Sequence, residues 1–363
     1  MEKIVGILGC TGTVGRFATE KLLRNGFRVI GGQRREPVLF KDEEKFEYFQ
    51  VDINDAARLE EFCTKCDLVV SCISPACLYG SIVARAAAKC NATYLDATDV
   101  IMKEELPENG TYVIASGYVP GLCEFLPLAI KHRELDTAER LVIYSGGSEI
   151  CSEAAFVDII LSAEGYADSC CRDGEMKPFR INIQKEHTLP YFERKVMLKP
   201  FLTYEALDLK NKLGIIDLFW FNTYHDSTIL KMLFATYRKT IGKNKEEAAN
   251  GIREVLREYV AANPQESSYA LIGFEITGKK NGEDKIVRCC LFLRDSGRLC
   301  GYCLAETALY ILNNELPKGV HMAYDIIDQG YLERLYDELD FGEHLYINEI
   351  TSEEAIDPDR LDI

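Results

Sequence analysis

The sequence predicts an α/β protein, with a parallel sheet covered by helices on both faces at the N-terminus and a second domain of different rhythm after it. Three observations carry this. Residues 4–15 read Ile-Val-Gly-Ile-Leu-Gly-Cys-Thr-Gly-Thr-Val-Gly, an apolar strand that breaks into glycines ahead of an amphipathic helix. The first third of the chain then alternates short apolar runs with helical stretches, the signature of repeated βα units. Finally, 363 residues suit about two domains, at roughly 100–200 residues each.

The elements follow in order. Strands are expected at 4–8, 27–31, 47–51, 67–72, 93–95 and 111–115, and helices at 14–24, 55–65 and 76–90. In the first turn each glycine has its own task. Gly9 permits the turn, Gly12 lets a pyrophosphate approach the backbone, and Gly15 lets the helix pack against the strand. The helix then offers unpaired N–H groups to a phosphate. Dinucleotide binding follows, in a Rossmann-type doubly wound domain whose ligand lies across the carboxyl ends of the strands where strand order reverses.

Beyond Gly117-Tyr118-Val119-Pro120-Gly121 the pattern changes. A helix at 122–133, a strand at 140–144, a turn at Gly146-Gly147 and a helix at 152–165 are expected, whereas residues 166–225 show no sustained period. Helices at 227–241 and 245–262 come next, then strands at 269–277 and 285–293 joined by Gly278-Lys-Lys-Asn-Gly282, a hairpin with a loop longer than the tightest turns. A helix at 304–314 follows. The last 24 residues, rich in Glu and Asp, read as a partly solvated tail.

Composition excludes several classes of function. With 42 Lys and Arg against 58 Asp and Glu, the net charge is −16, which repels nucleic acid and anionic lipid as general partners. No apolar run approaches a membrane span, and the chain enters its first strand without room for a signal peptide. A cytoplasmic protein that binds a small-molecule substrate is expected, as a homodimer. The 14 cysteines sit mostly in apolar runs and are read as reduced core thiols. Two C-x-x-C pairs, Cys63/Cys66 and Cys300/Cys303, lie far apart with no histidine at ligand spacing, so no metal is expected.

The end of the second strand chooses the cofactor. An NAD site wants an acid there for the ribose 2′-hydroxyl, but the chain has Gly31-Gly32-Gln33-Arg34-Arg35. Two guanidinium groups suit a 2′-phosphate through charge-assisted bonds, so NADP(H) is the expected cofactor. Asp52 and Ile53 would lie beside the adenine, and Cys72, Ser74 and Pro75 near the nicotinamide ribose. Asp52 and Ser74 are also residue types that cap helices, and both readings are open.

These residues resemble the saccharopine dehydrogenase-like NADP-binding reductases. The likeness rests on Gly9-x-x-Gly12-x-x-Gly15, on Asp67-Leu-Val-Val-Ser-Cys-Ile-Ser-Pro75 with Tyr79-Gly80, and on Tyr94-Leu-Asp96-Ala-Thr98. It also takes in Gly117-Tyr-Val-Pro-Gly121 and Ser145-Gly-Gly-Ser148. It runs over residues 3–125, thins beyond, and reappears at Glu306-Thr307 and Pro317-x-Gly319-Val320. The resemblance implies an N-terminal Rossmann domain at 1–122, an inserted mixed-sheet α+β domain at 123–303, and a C-terminal helix within 304–363 returning to the first. It implies that Gly9, Thr11, Gly12, Thr13 and Val14 hold the pyrophosphate; Gly15 and Tyr79 are further residues expected to bind the cofactor. It further implies that Arg34 and Arg35 hold the 2′-phosphate, that Asp96, Thr98 and Tyr118 face the cleft, and that C=N bonds are formed or reduced.

An iminium acceptor arrives protonated, so a strong general acid is not compulsory. Asp96 or Asp99 could stabilise that cation, or Asp96 could instead accept backbone N–H bonds to cap the next helix. Gly146, Gly147 and Ser148, ahead of a helix, form a second candidate anion site for a substrate carboxylate, or a plain turn capped by Ser152. Tyr191 and Lys195 have the Tyr-x-x-x-Lys spacing of short-chain dehydrogenases but fall far from the sixth strand. Of five isolated histidines, His187 and His225 fall in the unassigned middle and could line a pocket. Two functions remain in competition, an NADPH-dependent reductase of an imine or carbonyl and a non-catalytic dinucleotide-binding regulator.

Overall fold

The computed structural model describes residues 2–101, 105–162, 165–225, 227–263, 268–328 and 330–361. The chain opens with β1 (Ile4–Leu8), α1 (Gly15–Arg24), β2 (Arg28–Gln33), β3 (Phe46–Gln50), α2 (Ala56–Thr64), β4 (Leu68–Ser71), α3 (Ala76–Lys89), β5 (Thr93–Asp96) and β6 (Thr111–Ile114). It continues with α4 (Leu122–Glu134), β7 (Thr137–Gly147) and α5 (Glu153–Ser162). The middle holds β8 (Gly165–Ala167), β9 (Ser169–Arg172), β10 (Glu175–Pro178), β11 (Glu186–His187), β12 (Val196–Thr203), α6 (Tyr204–Leu213), β13 (Asp217–Tyr224), α7 (Ser227–Thr240) and α8 (Lys245–Ala262). The end comprises β14 (Ala270–Lys280), β15 (Glu283–Leu293), α9 (Ser296–Asn313), β16 (Gly319–Met322), α10 (Ala323–Ile326), α11 (Tyr331–Asp337) and β17 (His344–Ile350).

Two compact units emerge, each built from three stretches of chain. The first comprises Met1–Leu122, Cys151–Ser162 and Ser296–Tyr331, and the second the rest. In the first, seven strands run parallel in the order β16-β6-β5-β4-β1-β2-β3. Successive side chains of β1 point to opposite faces, as a strand requires. Val5 and Ile7 join Ala18 and Leu22 of α1 and Leu304, Ala305 and Ala308 of α9 in one core. Leu8 joins Leu59 and Phe62 of α2 and Val83, Ala84 and Ala87 of α3 in the other. Burial on both faces explains why the inner strands β1, β4 and β6 read as nearly unbroken buried runs, whereas β3 carries polar residues.

Helix α9 starts eight residues before the sequence suggested. Gly297 and Gly301 in its first two turns weaken the helical signal, yet packing demands the second. A Cβ on Gly301 would lie 2.5 Å from Val14 O and 2.7 Å from Phe17 Cβ, so only glycine lets α9 cross α1 this closely.

The second unit is a mixed sheet of 10 strands. β7 pairs parallel with β13 and antiparallel with β14. The hairpin β14–β15 is tighter than expected. Pairing runs out to Lys280↔Glu283, leaving a two-residue turn in which Asn281 and Gly282 have φ of 53° and 84°, the left-handed values that Asn-Gly hairpin turns require. The C-terminal stretch is also more ordered than a solvated tail: β17 pairs with β15 along seven residues. Residues 332–363 accordingly belong to the second unit, and α9 with β16 to the first.

Candidate functional site

The reversal of strand order falls between β1 and β4, and the glycine turn sits at their carboxyl ends. Gly9 has φ +79° and donates its N–H to Gly32 O at 2.8 Å. A Cβ there would stand 2.8 Å from Cys72 O, so the turn lies against the end of β4. Gly15 is tighter still, since an added Cβ would meet Gly9 O at 2.2 Å. Exposed Gly12 would meet only that same oxygen, at 3.3 Å. The fold therefore tolerates more bulk at Gly12 than at Gly15, and the open side of the turn is where a ligand could approach. Among the described residues no acceptor is assigned to the N–H groups of Thr13, Val14 and Gly15. Val14, the N-cap of α1, makes no side-chain cap bond, and no acid lies in the first turn. Backbone donors at the positive end of a helix dipole are an arrangement able to accept a phosphate.

Arg34 and Arg35 follow β2, both exposed and with no ion pair among the described residues. They stand where the ribose-discriminating group of this architecture falls. Gln33, which no sequence pattern singles out, joins them to the turn. Gln33 Oε1 accepts from Thr11 Oγ1 at 2.8 Å and from Cys10 Sγ at 3.4 Å, while its Nε2 donates to Arg35 O at 2.7 Å. Gln50 Nε2 adds a bond to Arg34 O at 3.2 Å. The position where an acid would accept from a 2′-hydroxyl thus holds a neutral amide that fixes the arginine loop. Asp52 is exposed and accepts from Asn54 N and Nδ2, both at 3.0 Å. Its cap reading does not hold, because Asp55 caps α2 by accepting from Arg58 N at 3.1 Å. Ile53 is half-buried against the core beneath.

Cys72 donates its N–H to Leu8 O at 2.9 Å, so the loop of Cys72, Ile73, Ser74 and Pro75 springs from beside the glycine turn. Ser74 is exposed and does not cap α3, whose N-cap is Pro75. Tyr79 is half-buried in the first turns of α3. On β5, Asp96 is buried, and both carboxylate oxygens are engaged. Tyr94 Oη donates to Oδ2, while Thr98 N and Oγ1 donate to Oδ1 at 2.8 and 3.0 Å. Among the described residues that follow, 97–101 are not helical, so Asp96 pins a turn there. Burial pushes its carboxyl up to about 6, against the hydrogen bonds from Tyr94 and Thr98, and the charge of Asp158 adds to the rise. Thr98 and Asp99 are half-buried beside it.

The loop carrying Tyr118 closes on itself. Gly117 N–H donates to Pro120 O, and Leu122 N–H to Gly117 O, both at 3.1 Å. Ser116 donates to Thr307 Oγ1 at 2.7 Å, anchoring the end of β6 to α9. Tyr118 is half-buried, and the Cys300 thiol, raised to about 12 by burial, lies against its backbone.

In the second unit, Gly146 and Gly147 are not a turn ahead of a helix. They continue β7 in register with Leu271 and Ala270. Added Cβ atoms would lie 2.0 Å from Thr223 Oγ1 and 2.1 Å from Tyr269 O, so small residues here serve close strand packing. Ser148 spends its N–H on Tyr269 O at 2.9 Å, which leaves no anion cradle of the expected kind. Ser152 does act as a cap, accepting from Ala155 N at 3.2 Å. Tyr191 stacks on Tyr346 with ring centroids 4.7 Å apart and accepts from Asn348 Nδ2 at 2.9 Å, so it holds β17 instead of pairing with Lys195. His225 Nε2 lies 3.1 Å from Tyr269 Oη, and burial lowers the pKa of His187 on β11.

All fourteen cysteines are free thiols, and burial raises those of Cys10 and Cys63 to about 12. Among the described residues no cluster of three or more His, Cys, Asp or Glu could hold a metal, and no helix is long and apolar enough to cross a membrane.

Residues 5–116 match the family model of the saccharopine dehydrogenase NADP binding domain. That segment spans β1–β6, the glycine turn and the arginine loop, and is an NADP-binding domain of that type. Among solved structures, apo histidine-tagged saccharopine dehydrogenase (L-Glu forming) from Saccharomyces cerevisiae matches 96% of this chain and 100% of its own, with 12% identity and a TM-score of 0.67. The two share a fold across both units. A short-chain dehydrogenase/reductase from Veillonella parvula matches 30% of this chain and 52% of its own, with 18% identity and a TM-score of 0.25. No protein of curated function matches the sequence.

Proposed function

We propose that this chain, with its saccharopine dehydrogenase-type NADP-binding domain, is an NADPH-dependent oxidoreductase that reduces the C=N or C=O group of a small amino-acid-derived intermediate. The observation that carries the reading is the pairing of two uncommitted charges with one open helix end. Among the described residues Arg34 and Arg35 make no ion pair at the end of β2, and no acceptor is assigned to the N–H groups of Thr13, Val14 and Gly15 where α1 opens at the end of β1. These features fit a dinucleotide bearing a 2′-phosphate.

The N–H groups of Thr13, Val14 and Gly15 would hold the pyrophosphate, which Gly12 admits. The two guanidinium groups would hold the 2′-phosphate through charge-assisted bonds, with Gln33 keeping their loop against Thr11. When bound, the cofactor supplies a hydride from its nicotinamide ring. The chain must then exclude water and orient the acceptor. Asp96 keeps Thr98 fixed at the end of β5. Asp99, half-buried one residue on, is the carboxylate available to balance the charge of an iminium acceptor.

The test is a titration of purified protein with NADPH, followed by nicotinamide fluorescence with amine–carbonyl mixtures and α-keto acids added. Binding followed by loss of fluorescence with one mixture is expected. Binding without oxidation by any mixture would favour the regulator reading.

A further inference from the structure

Helix α3 does not cap itself. Its N-cap is Pro75, which makes no side-chain cap bond. The carboxylate of Asp158 does this from α5, accepting from Ala76 N–H through Oδ2 and from Cys77 N–H through Oδ1, both at 2.9 Å. Asp158 is only 8% exposed, between Val157 and Ile159 in a largely apolar helix. Nothing in that helix calls for a charge, and the two backbone donors do. Such charge-assisted bonds to first-turn N–H groups are the strong kind, and they satisfy donors that Pro75 leaves orphaned.

Two facts give the contact meaning beyond helix stability. Residues 151–162 are a detour, because the flanking stretches 123–150 and 163–295 belong to the second unit while α5 packs in the first. In addition, α1 and α3 follow adjacent strands, β1 and β4, at the reversal of strand order. Asp158 fills the positive end of α3 with a carboxylate, so of these two helix ends only that of α1 stays open to phosphate.

We propose that Asp158 is a positioning residue for the nicotinamide half of the dinucleotide site. By tying Ala76 and Cys77 it holds the preceding Cys72-Ile73-Ser74-Pro75 loop in shape, and it leaves the adenosine half on β2 and β3 untouched. The proposal rests on the NADPH reading above.

The experiment uses the full chain as wild type, Asp158→Ala and Asp158→Asn, titrated separately with NADPH and with adenosine 2′,5′-bisphosphate. The second ligand carries the 2′-phosphate and lacks the nicotinamide. The alanine variant is expected to lose about fivefold or more in NADPH affinity, with less fluorescence enhancement of the bound nicotinamide. Its affinity for the bisphosphate should stay within about twofold. Asp158→Asn, which keeps one carbonyl acceptor, should fall between, and it carries the same comparison if the alanine variant does not fold. Equal loss for both ligands, or loss for neither, overturns the proposal. A wild-type chain that binds neither ligand overturns the site reading and the proposal with it, whereas wild-type binding of both with no split in the variants overturns the role of Asp158 alone.

Discussion

Lys21 Nζ lies 2.7 Å from Glu306 Oε1, with both side chains under a tenth exposed, which joins α1 to α9 by a buried ion pair. Removing one partner of such a pair leaves the other charge uncompensated and costs about 3–5 kcal/mol. Glu306→Gln and Lys21→Met are each expected to lower unfolding free energy by that order in urea melts. The double change Lys21→Met with Glu306→Leu should lose less than either single change. Losses that simply add would show that the two charges act independently.

Arg34 and Arg35 are exposed, so their removal should leave the fold alone. The double alanine variant is expected to weaken NADPH by about tenfold or more and NADH by less than about twofold. Calorimetric titration of both cofactors is the check. The gap should narrow in high salt, since these exposed charges are screened. Equal weakening for the two cofactors would place the 2′-phosphate elsewhere.

Gly12 and Gly15 separate binding from folding. At Gly15 an added methyl would meet Gly9 O at 2.2 Å, whereas at Gly12 the same oxygen is 3.3 Å away. Gly15→Ala should therefore lower the melting temperature sharply. Gly12→Ala should melt within a few degrees of wild type while NADPH affinity drops by about tenfold or more. The two glycines exchange roles if Gly12→Ala is the one that unfolds.

Asp96 gives the stability of the fold a definite pH dependence. Burial raises its carboxyl from 3.8 to about 6 in the folded chain. The folded state thus holds this proton more tightly than the unfolded state, and the stability it confers is complete below about 4 and lost as pH rises through about 6. The difference is worth roughly 3 kcal/mol. Asp96→Asn, which keeps an acceptor for Thr98, should flatten that part of the stability profile in denaturant melts between pH 4 and 7. An unchanged slope would mean that Asp96 titrates normally.

The first unit was readable because its chemistry repeats. Strands β1, β4 and β6 are short, almost wholly buried runs, and the bounds of all six strands β1–β6 differ from expectation by two residues or fewer. The segment 166–225 was opaque for two physical reasons. Strands β8–β11 are two to four residues long and partly exposed, too short to show a period. β13 is buried along most of its length, and Leu-Phe-Trp-Phe shows no alternation. At the site, the turn and the arginine pair were legible because their spacing is itself the mechanism. Gln33 gives no signal of its own in the sequence beyond standing where an NAD site carries an acid. Asp158 also left a trace, a lone carboxylate among Phe156, Val157 and Ile159, the sort of charge that burial permits only with a partner. Gly146–Ser148 misled because glycines that let strands crowd look, in one dimension, like glycines that turn the chain.

The seven-stranded sheet is closed by β16 at residues 319–322, which pairs with β6 at 111–114, and one of its faces is covered by α9. The segment 5–116 that defines the domain by likeness is therefore not one that could be expressed alone with its sheet complete. Severed there, it would bare the edge of β6 and the apolar face that Leu304, Ala308 and Ile311 cover. During synthesis those residues leave the ribosome roughly 200 positions after β6, a wait of about 10–40 s. For that interval the nascent cofactor domain is an unfinished, sticky surface, and the order of translation places residues 123–150 and 163–295 of the second unit between its beginning and its completion.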